Sequence, residues 1–404
     1  MTASRALLFA LLLVVGLALA NGRSAGASEE DRNFAGSAQL DYHLVAGGAG
    51  APAAPAPSTT FEGFTLEAAL KVAADISDHL SANVKVCYGC HGFELDMAYF
   101  DLRAFDELNL RVGRFSPSFG AFNLRHDPAN HMTSDKPLPY DMGRMLRKGD
   151  WNEGVLPSPF PMNGAEINGT HWIGGVAQFD YAAYVATGFK NDVDANPTDL
   201  DFQESHLPYY VTSDPRPASG ARLALTLKAG SDADMTLGAS GMWGTYDPAN
   251  KLTYAIVGGD FALRIERTAI RMEYLVRRQQ MDVSNPDIFR YAIAPVDGDF
   301  FAKHGAYVEV EQPVTDAFDV LGRVDGLFRV GNVSNVSVGS GGDTIVASPL
   351  HERAALLRET LALAYAFERN FRLKGSVELW EFNYADSTGR DTELSFHLGA
   401  VGSF

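Results

Sequence analysis

The last twelve residues, Glu393-Leu-Ser-Phe-His-Leu-Gly-Ala-Val-Gly-Ser-Phe404, alternate between apolar side chains and polar or small ones. The apolar side chains that share one parity are Leu394, Phe396, Leu398, Ala400 and Phe404. Successive side chains of a β-strand point to opposite faces of its sheet. This stretch is therefore predicted to be a strand with one apolar face and one polar face.

The same two-residue period recurs along the chain. The predicted strands cover residues 39–44, 64–72, 82–87, 95–104, 109–114, 166–172, 176–188, 221–229, 235–246, 252–265, 269–278, 300–312, 318–331, 354–367, 371–382 and 393–404. Short turns alternate with long polar loops at 115–165, 189–220, 279–299 and 332–353. This layout is typical of outer-membrane barrels. We predict an all-β fold, a transmembrane antiparallel β-barrel of about sixteen strands, with long outer loops and short periplasmic turns.

A soluble periplasmic all-β protein would also alternate in this way. Soluble sandwiches, however, seldom contain so many long strands with all the long loops at one end. The chain also ends on Phe404, and a terminal aromatic residue on an alternating strand resembles the signal by which outer-membrane barrels are recognised for insertion. These features favour a barrel that spans the bacterial outer membrane and has the lipid bilayer as its surroundings.

Residues 1–27 have the pattern of a secretory signal peptide. Arg5 forms a short positive region, residues 6–20 are apolar, and small residues allow cleavage after Ala20 or Ala27. The barrel is then expected to occupy residues 28–404. The formal net charge of −17 argues against nucleic acid as a partner, because phosphate binding needs a basic face.

Both cysteines of the chain lie in one pentapeptide, Cys87-Tyr88-Gly89-Cys90-His91. This C-x-x-C-H spacing is the attachment signature of a c-type haem. Each thiol can add across one vinyl group of the same porphyrin, and the adjacent imidazole can ligate the iron. The motif predicts one covalent haem c held by Cys87 and Cys90, with His91 as the proximal ligand of the haem iron.

The position of this motif predicts where the haem would lie. Cys87 has the same parity as Asn83 and Lys85, so its side chain is expected to point into the lumen. If the N-terminus is periplasmic, the third strand runs outward, and residues 87–94 lie at its outer end or in the loop that follows. The haem would then sit in the outer mouth of the barrel.

A sixth iron ligand would have to come from a loop that reaches inward. The long loop at 115–165 is expected to fold into the lumen, as the third loop of porins commonly does. His126 and His131 are the leading candidates for the distal ligand, ahead of Met132. His/His or His/Met ligation would suit electron transfer. Each of these histidines could equally be a solvated or loop-anchoring residue.

Besides haem, a disulfide and a zinc site stay open for the pentapeptide, and a thioredoxin-type redox motif is disfavoured. Cys87 and Cys90 could form a disulfide, which is natural in an oxidising compartment. A thioredoxin-type redox motif normally begins a helix in a βαβ unit, which this sequence does not contain. A zinc site would need two further ligands. His91 favours haem, because a disulfide needs no histidine after it.

Two resemblances to porins extend this interpretation. The segment 101–120, with Leu110-Arg111-Val112-Gly113-Arg114-Phe115 at its centre, looks like the strand–turn–strand of phosphate-selective-type porins, in which it leads into a long third loop. The C-x-x-C-H motif in a barrel of this size resembles the fused cytochrome–porins of iron-oxidising bacteria. In those proteins the motif lies ahead of the barrel, whereas here it follows two or three strands, so the resemblance implies a haem held by a porin more than it implies iron oxidation.

The leading hypothesis is an electron carrier in the outer membrane, with a periplasmic c-type cytochrome or an extracellular electron donor or acceptor as partner. The alternative is a passive or anion-preferring porin with a Cys87–Cys90 disulfide and no haem. A third reading is a structural barrel sealed by its own third loop. No nucleophile–base arrangement or phosphate loop indicates an enzyme. The sequence is also compatible with a homo-oligomer of barrels.

Overall fold

The computed structural model describes residues 32–46, 63–89, 92–105, 107–141, 154–189, 216–247, 250–280, 291–293, 299–331, 333–335, 337–338, 344–345, 353–384 and 390–404. The predicted signal peptide 1–27 and the motif residues Cys90 and His91 lie outside these ranges. Within them, no helix is long and apolar enough to cross a membrane.

Sixteen antiparallel strands close into one barrel. They are β1 (Arg32–Ala46), β2 (Gly63–Ser77), β3 (Leu80–Gly89), β4 (Gly92–Phe105), β5 (Leu108–Phe115), β6 (Met162–Ile173), β7 (Ala177–Ala186), β8 (Ala218–Ala229), β9 (Ala233–Thr245), β10 (Thr253–Ile265), β11 (Thr268–Gln280), β13 (Phe300–Pro313), β14 (Phe318–Gly331), β18 (Arg353–Glu368), β19 (Phe371–Tyr384) and β20 (Arg390–Ser403). The first and last strands pair, with His43 opposite His397. This β1–β20 pair is the closing seam of the barrel.

Every strand predicted from the sequence is present, so the prediction of a sixteen-stranded barrel is confirmed. The limits of some strands differ from those predicted. β1 begins at Arg32 rather than at residue 39. The sequence did not indicate the first part of this strand, because the small residues that precede Gln39 do not alternate in polarity. Two of the predicted outer loops also contain short strands, which pair as β12 (Tyr291–Ile293) with β15 (Val333–Asn335), and β16 (Ser337–Val338) with β17 (Thr344–Ile345).

The alternation in the sequence sorts side chains between the lumen and the outer surface. Gln39, Asp41 and His43 of β1 are buried in the lumen. The exposed apolar side chains of the first and last strands are Leu40, Tyr42, Leu44, Phe396, Leu398 and Phe404. A closed barrel with an apolar outer surface requires lipid around it. The chain is an outer-membrane barrel, with short turns at the periplasmic end and long loops at the outer end.

Candidate functional site

The loop between β5 and β6, residues 116–161, is the third loop of the barrel, and its described part lies in the lumen. Polar groups of this loop bond to strands around the whole wall. These bonds join Ser118 to Glu166 of β6, Gly120 to Ser240 of β9, Pro128 to Lys374 of β19, Ser134 to Asp41 of β1 and Leu138 to Asp325 of β14. The loop therefore crosses the lumen rather than lining one side of it.

The third loop also brings an apolar core into the lumen. Its buried side chains include Phe119, Phe122, Leu138, Tyr140, Leu156 and Phe160, each exposed by 1% or less. They pack against apolar side chains that point inward from the wall, among them Tyr254, Ile256, Leu275, Tyr307 and Leu327. An apolar cluster of this kind excludes water. Much of the lumen is therefore filled by packed side chains.

Buried ion pairs fasten the loop to the wall on the side of β14, β18 and β19. Arg358 of β18 is fully buried and donates to both carboxylate oxygens of Asp325, at 2.9 Å from Nε and 2.6 Å from Nη2. Its Nη2 also donates to the backbone oxygen of Lys136 in the loop, at 2.6 Å. Its Nη1 lies 3.4 Å from Asp135 and 3.5 Å from Glu378. One guanidinium thus holds loop and wall together.

The cysteine motif lies at the outer end of the β3–β4 hairpin. Cys87 pairs with Glu94 and Gly89 pairs with Gly92, so only residues 90 and 91 connect the two strands. Cys87 is part of the extended strand β3. The motif therefore begins in a strand.

Cys87 faces a lumenal cavity at the outer mouth, in line with its parity. The enclosed part of the cavity has a volume of about 80 Å³, which is below the usual range of about 300–1,000 Å³ for small-molecule sites, and the cavity opens at the mouth of the barrel. The residues that line it include Glu67, Lys85, Cys87, Glu94, Asp96, His126, Asp127 and Lys136. The fold thus brings the thiol of β3 and a histidine of the third loop to one cavity.

His126 is held in a defined orientation at this cavity. Its Nδ1 lies 2.6 Å from the backbone oxygen of Asn123, so Nδ1 carries the proton and donates it. Its Nε2 then accepts from the ammonium of Lys85, at 3.1 Å. Burial, together with the Lys85 cation, lowers the pKa of His126 below its usual value. A neutral ring whose Nδ1 carries the proton is the form that a metal ligand requires, and Nε2 could bind a metal once the Lys85 ammonium moved away from it.

His131, the other predicted distal ligand, does not line the cavity that contains Cys87. Its ring is buried against Phe122, with 5.8 Å between the ring centroids. Neither of its ring nitrogens has a hydrogen-bond partner among the described residues. Burial, and then the nearby cations of Lys374, Lys136, Arg125 and Arg323, lower its pKa well below the usual value. The structure thus separates His131 from His126.

Because His131 is buried and neutral, we predict that acid lowers the stability of the packed third loop. Below about pH 6.5 the unfolded chain protonates this histidine while the folded chain does not, so stability falls by up to about 1.4 kcal/mol per pH unit. His131→Leu is expected to flatten the pH dependence of loop protection against proteolysis between pH 6.5 and 5.5. His171→Leu, on the exposed end of β6, should keep the parent's dependence. Identical profiles for parent and His131→Leu would contradict the prediction.

Sequence reasoning missed a second group of titratable residues in the lumen. One nitrogen of His43, one nitrogen of His397 and one carboxylate oxygen of Asp135 lie within 4.8 Å of one another. The sequence did place His43 and His397 in alternating strands. Closure of a barrel pairs its first and last strands, and this could have indicated that the two histidines meet. Nothing in the sequence pattern places Asp135 of the third loop beside them.

The structure bears on two of the alternatives for the cysteine motif. It gives Cys87 as a free thiol and so shows no Cys87–Cys90 disulfide. Among the described residues, the group suited to a metal ion does not include Cys87. Cys90 and His91 lie outside the described residues, and the haem prediction stays a prediction.

Comparisons with known proteins agree with the fold. No protein-family model matches the sequence, and no curated protein matches it. Among solved structures, the outer membrane channel DcaP of Acinetobacter baumannii has 12% identity and a TM-score of 0.51, covering 95% of this chain and 100% of that one. The anion-selective porin from Comamonas acidovorans has 10% identity and a TM-score of 0.51, covering 92% and 99%. Salmonella typhi OmpF in complex with daunomycin has 11% identity and a TM-score of 0.51, covering 92% and 97%. At such identities the likeness shows the porin-like fold alone.

Proposed function

We propose that this porin-like outer-membrane barrel holds one covalent haem c at its outer mouth and acts in electron transfer across or at the outer membrane. The observation that carries the proposal is the cavity shared by Cys87 and His126. These residues are 39 positions apart in sequence, and the third loop brings the histidine to the only strand that bears a cysteine among the described residues.

Cys87 and His126 have the chemistry that the proposed group requires, although Lys85 would have to release Nε2 of His126. Cys87 is a free, partly buried thiol, as thioether formation with a vinyl group requires. His91 follows the motif's second cysteine and would be the proximal ligand, while Nε2 of His126 is the leading candidate for the distal one. His131 would reach the iron only if the loop rearranged, because it does not line this cavity. When bound, the haem would supply a one-electron redox centre.

The filled lumen also supports an electron carrier over a passive pore. The third loop packs an apolar core across the barrel, and buried lumenal arginines are matched by carboxylates, as with Arg222 and Asp260 at 2.5 Å. A wide channel for free diffusion needs an open aqueous lumen. Because the apolar band of such barrels is about 25 Å tall, one haem at the mouth cannot bridge it alone. A periplasmic c-type cytochrome, or an extracellular donor or acceptor, would have to approach the site.

The test is the visible spectrum and the intact mass of the protein purified from outer membranes. We expect sharp reduced α and β bands after dithionite and a mass higher by one haem. Cys90→Ala leaves at most the Cys87 thioether, so the haem absorbance and the fraction of denatured chains that carry the haem mass should both fall. His126→Ala should keep the mass but change the band shape, because it would remove only an axial ligand.

Two results would contradict the proposal. One is a colourless protein with the mass of the unmodified mature chain, in cells that make other c-type cytochromes. The other is a spectrum unchanged in Cys90→Ala. Conductance across planar bilayers would then test the alternative, a passive or anion-preferring porin without haem.

A further inference from the structure

The closing seam of the barrel contains two histidines whose rings are in contact. His43 of β1 and His397 of β20 are directly opposite in the strand register, and both side chains are buried in the lumen. Their Nδ1 atoms lie 2.5 Å apart, and the ring centroids are 4.6 Å apart with the planes nearly perpendicular. The seam thus directs two ring nitrogens at one point.

The other nitrogen of each ring is directed at a hydrogen-bond partner. Nε2 of His43 lies 2.9 Å from Oγ1 of Thr65. Nε2 of His397 lies 3.1 Å from Oγ of Ser395 and 3.3 Å from Oε2 of Glu378. The Glu378 carboxylate accepts from Nε2–H of His397, which leaves the Nδ1 lone pair of that ring directed at His43, and the Thr65 hydroxyl can either accept from Nε2 of His43 or donate to it. With Nε2 of His43 protonated, both Nδ1 atoms present lone pairs to each other and a cation has to lie beside them; with Nδ1 of His43 protonated, the two rings share an N–H···N hydrogen bond.

Asp135 of the third loop favours the metal ion over the proton. This carboxylate is 98% buried, with 2% of its surface exposed, and its Oδ1 has no hydrogen-bond partner among the described residues. One of its oxygens lies within 4.8 Å of one ring nitrogen of each histidine, and its Oδ2 is 3.8 Å from Nε2 of His397. A protonated His397 would pair with Oδ2 of Asp135 and still leave Oδ1 without a partner, whereas a metal ion among the three residues would take a carboxylate oxygen of Asp135 as its third ligand.

We propose that His43, His397 and Asp135 form a binding site for a divalent first-row transition-metal ion such as Zn²⁺. Two imidazoles and a carboxylate suit Zn²⁺ and its neighbours rather than Mg²⁺ or Ca²⁺, which prefer oxygen ligands alone. Glu378, Ser395 and Thr65 would orient the rings from outside, as supporting residues do around zinc-bound histidines. Tetrahedral zinc with bonds of about 2.0–2.1 Å needs its nitrogens about 3.3 Å apart, so the rings would separate by about 0.8 Å on binding.

The site would join three parts of the molecule that are far apart in sequence. His43 and His397 come from the two ends of the barrel sheet, and Asp135 comes from the loop that fills the lumen. An ion bound only by the folded arrangement stabilises that arrangement. The metal would therefore clamp the third loop to the closing seam. This inference does not depend on the haem, because the two sites share no residue.

The test is zinc binding by the purified full-length mature barrel after treatment with EDTA and exchange into metal-free buffer. Zinc added at a twofold excess and then dialysed should remain at one equivalent per chain, measured by elemental mass spectrometry alongside iron, which reports haem separately. Titration calorimetry should show that His43→Gln and His397→Gln weaken zinc binding by roughly 100-fold or more, since a second-shell change alone costs about 10- to 100-fold. Asp135→Asn should weaken it by a smaller factor.

Matched controls keep the test independent of folding. His171→Gln removes an exposed histidine of β6 and should bind zinc as the parent does. Asp135→Asn lies in the third loop, so it leaves the strands intact, and folding of each variant is checked by heat-dependent migration on gels. The proposal is overturned if the parent retains less than a stoichiometric amount of zinc, or if the folded seam variants bind it as tightly as the parent.

Discussion

Arg358→Met is expected to lower the free energy of unfolding of the barrel by about 3–5 kcal/mol, the cost of removing one partner from a buried ion pair. Methionine roughly preserves the volume of the side chain, so the loss would come mainly from the charge. Without the guanidinium, the buried carboxylates of Asp325 and Glu378 keep only Arg323 as a shared cation, at 3.3 Å and 4.0 Å. The loop also loses the bond from Arg358 to the oxygen of Lys136. Urea unfolding in lipid vesicles, followed by tryptophan fluorescence, measures the change, since Trp380 stacks 4.9 Å from this guanidinium.

Arg264→Met is the matched control for this prediction. Arg264 pairs with Asp234 at the periplasmic end of β10 at 2.5 Å, but its side chain is 46% exposed. Exposed ion pairs contribute about 0–1 kcal/mol, so the control should unfold almost as the parent does. Equal losses in the two variants would show that the buried network does not hold the loop in place.

Excision of the third loop is expected to open the barrel. Phe115 and Met162 are paired across β5 and β6, so a short Gly-Ser linker can replace residues 118–159 without moving the strands. Barrels with sixteen strands leave an aqueous channel when the lumen is clear, and single-channel conductance in planar bilayers should rise by on the order of tenfold or more. The intact chain should conduct little, because Phe119, Phe122 and Tyr140 pack across its lumen.

In the control variant, the same short Gly-Ser linker replaces the connection between β19 and β20. This connection joins two strands of the wall at the outer end. That variant should conduct as the parent does. A parent barrel that already conducts like an open porin, with no further rise on excision, would show that the apolar core of the loop leaves a separate path for ions.

The fold could be predicted from the sequence because its strongest signal is local. Side chains two residues apart on a strand share one face, and lipid outside with water or protein inside forces a different polarity on each face. Residues 393–404 show this rule in a single segment, and each of the other strands repeats it. Register errors would place charged lumenal residues such as Glu378 in lipid, so the period also fixes which side chains point inward.

The contents of the lumen could be predicted only in outline. The length of residues 115–165 indicated a loop, and its histidines indicated ligands, but a loop has no period that fixes which side chains meet. His126 and His131 therefore looked equivalent in the sequence, and only the folded loop places the first at the cavity of Cys87 and the second against Phe122.

The sequence by itself determined the barrel, its orientation and the inward direction of Cys87, since these follow from local alternation, loop lengths and one short motif. The tertiary structure decided that the third loop fills the lumen, that Arg358 ties it to the wall, and that His43 meets His397. The two histidines are separated by 354 positions. They meet because closing the barrel pairs its first strand with its last, and the seam binds the loop residue Asp135 only once the loop has packed inside.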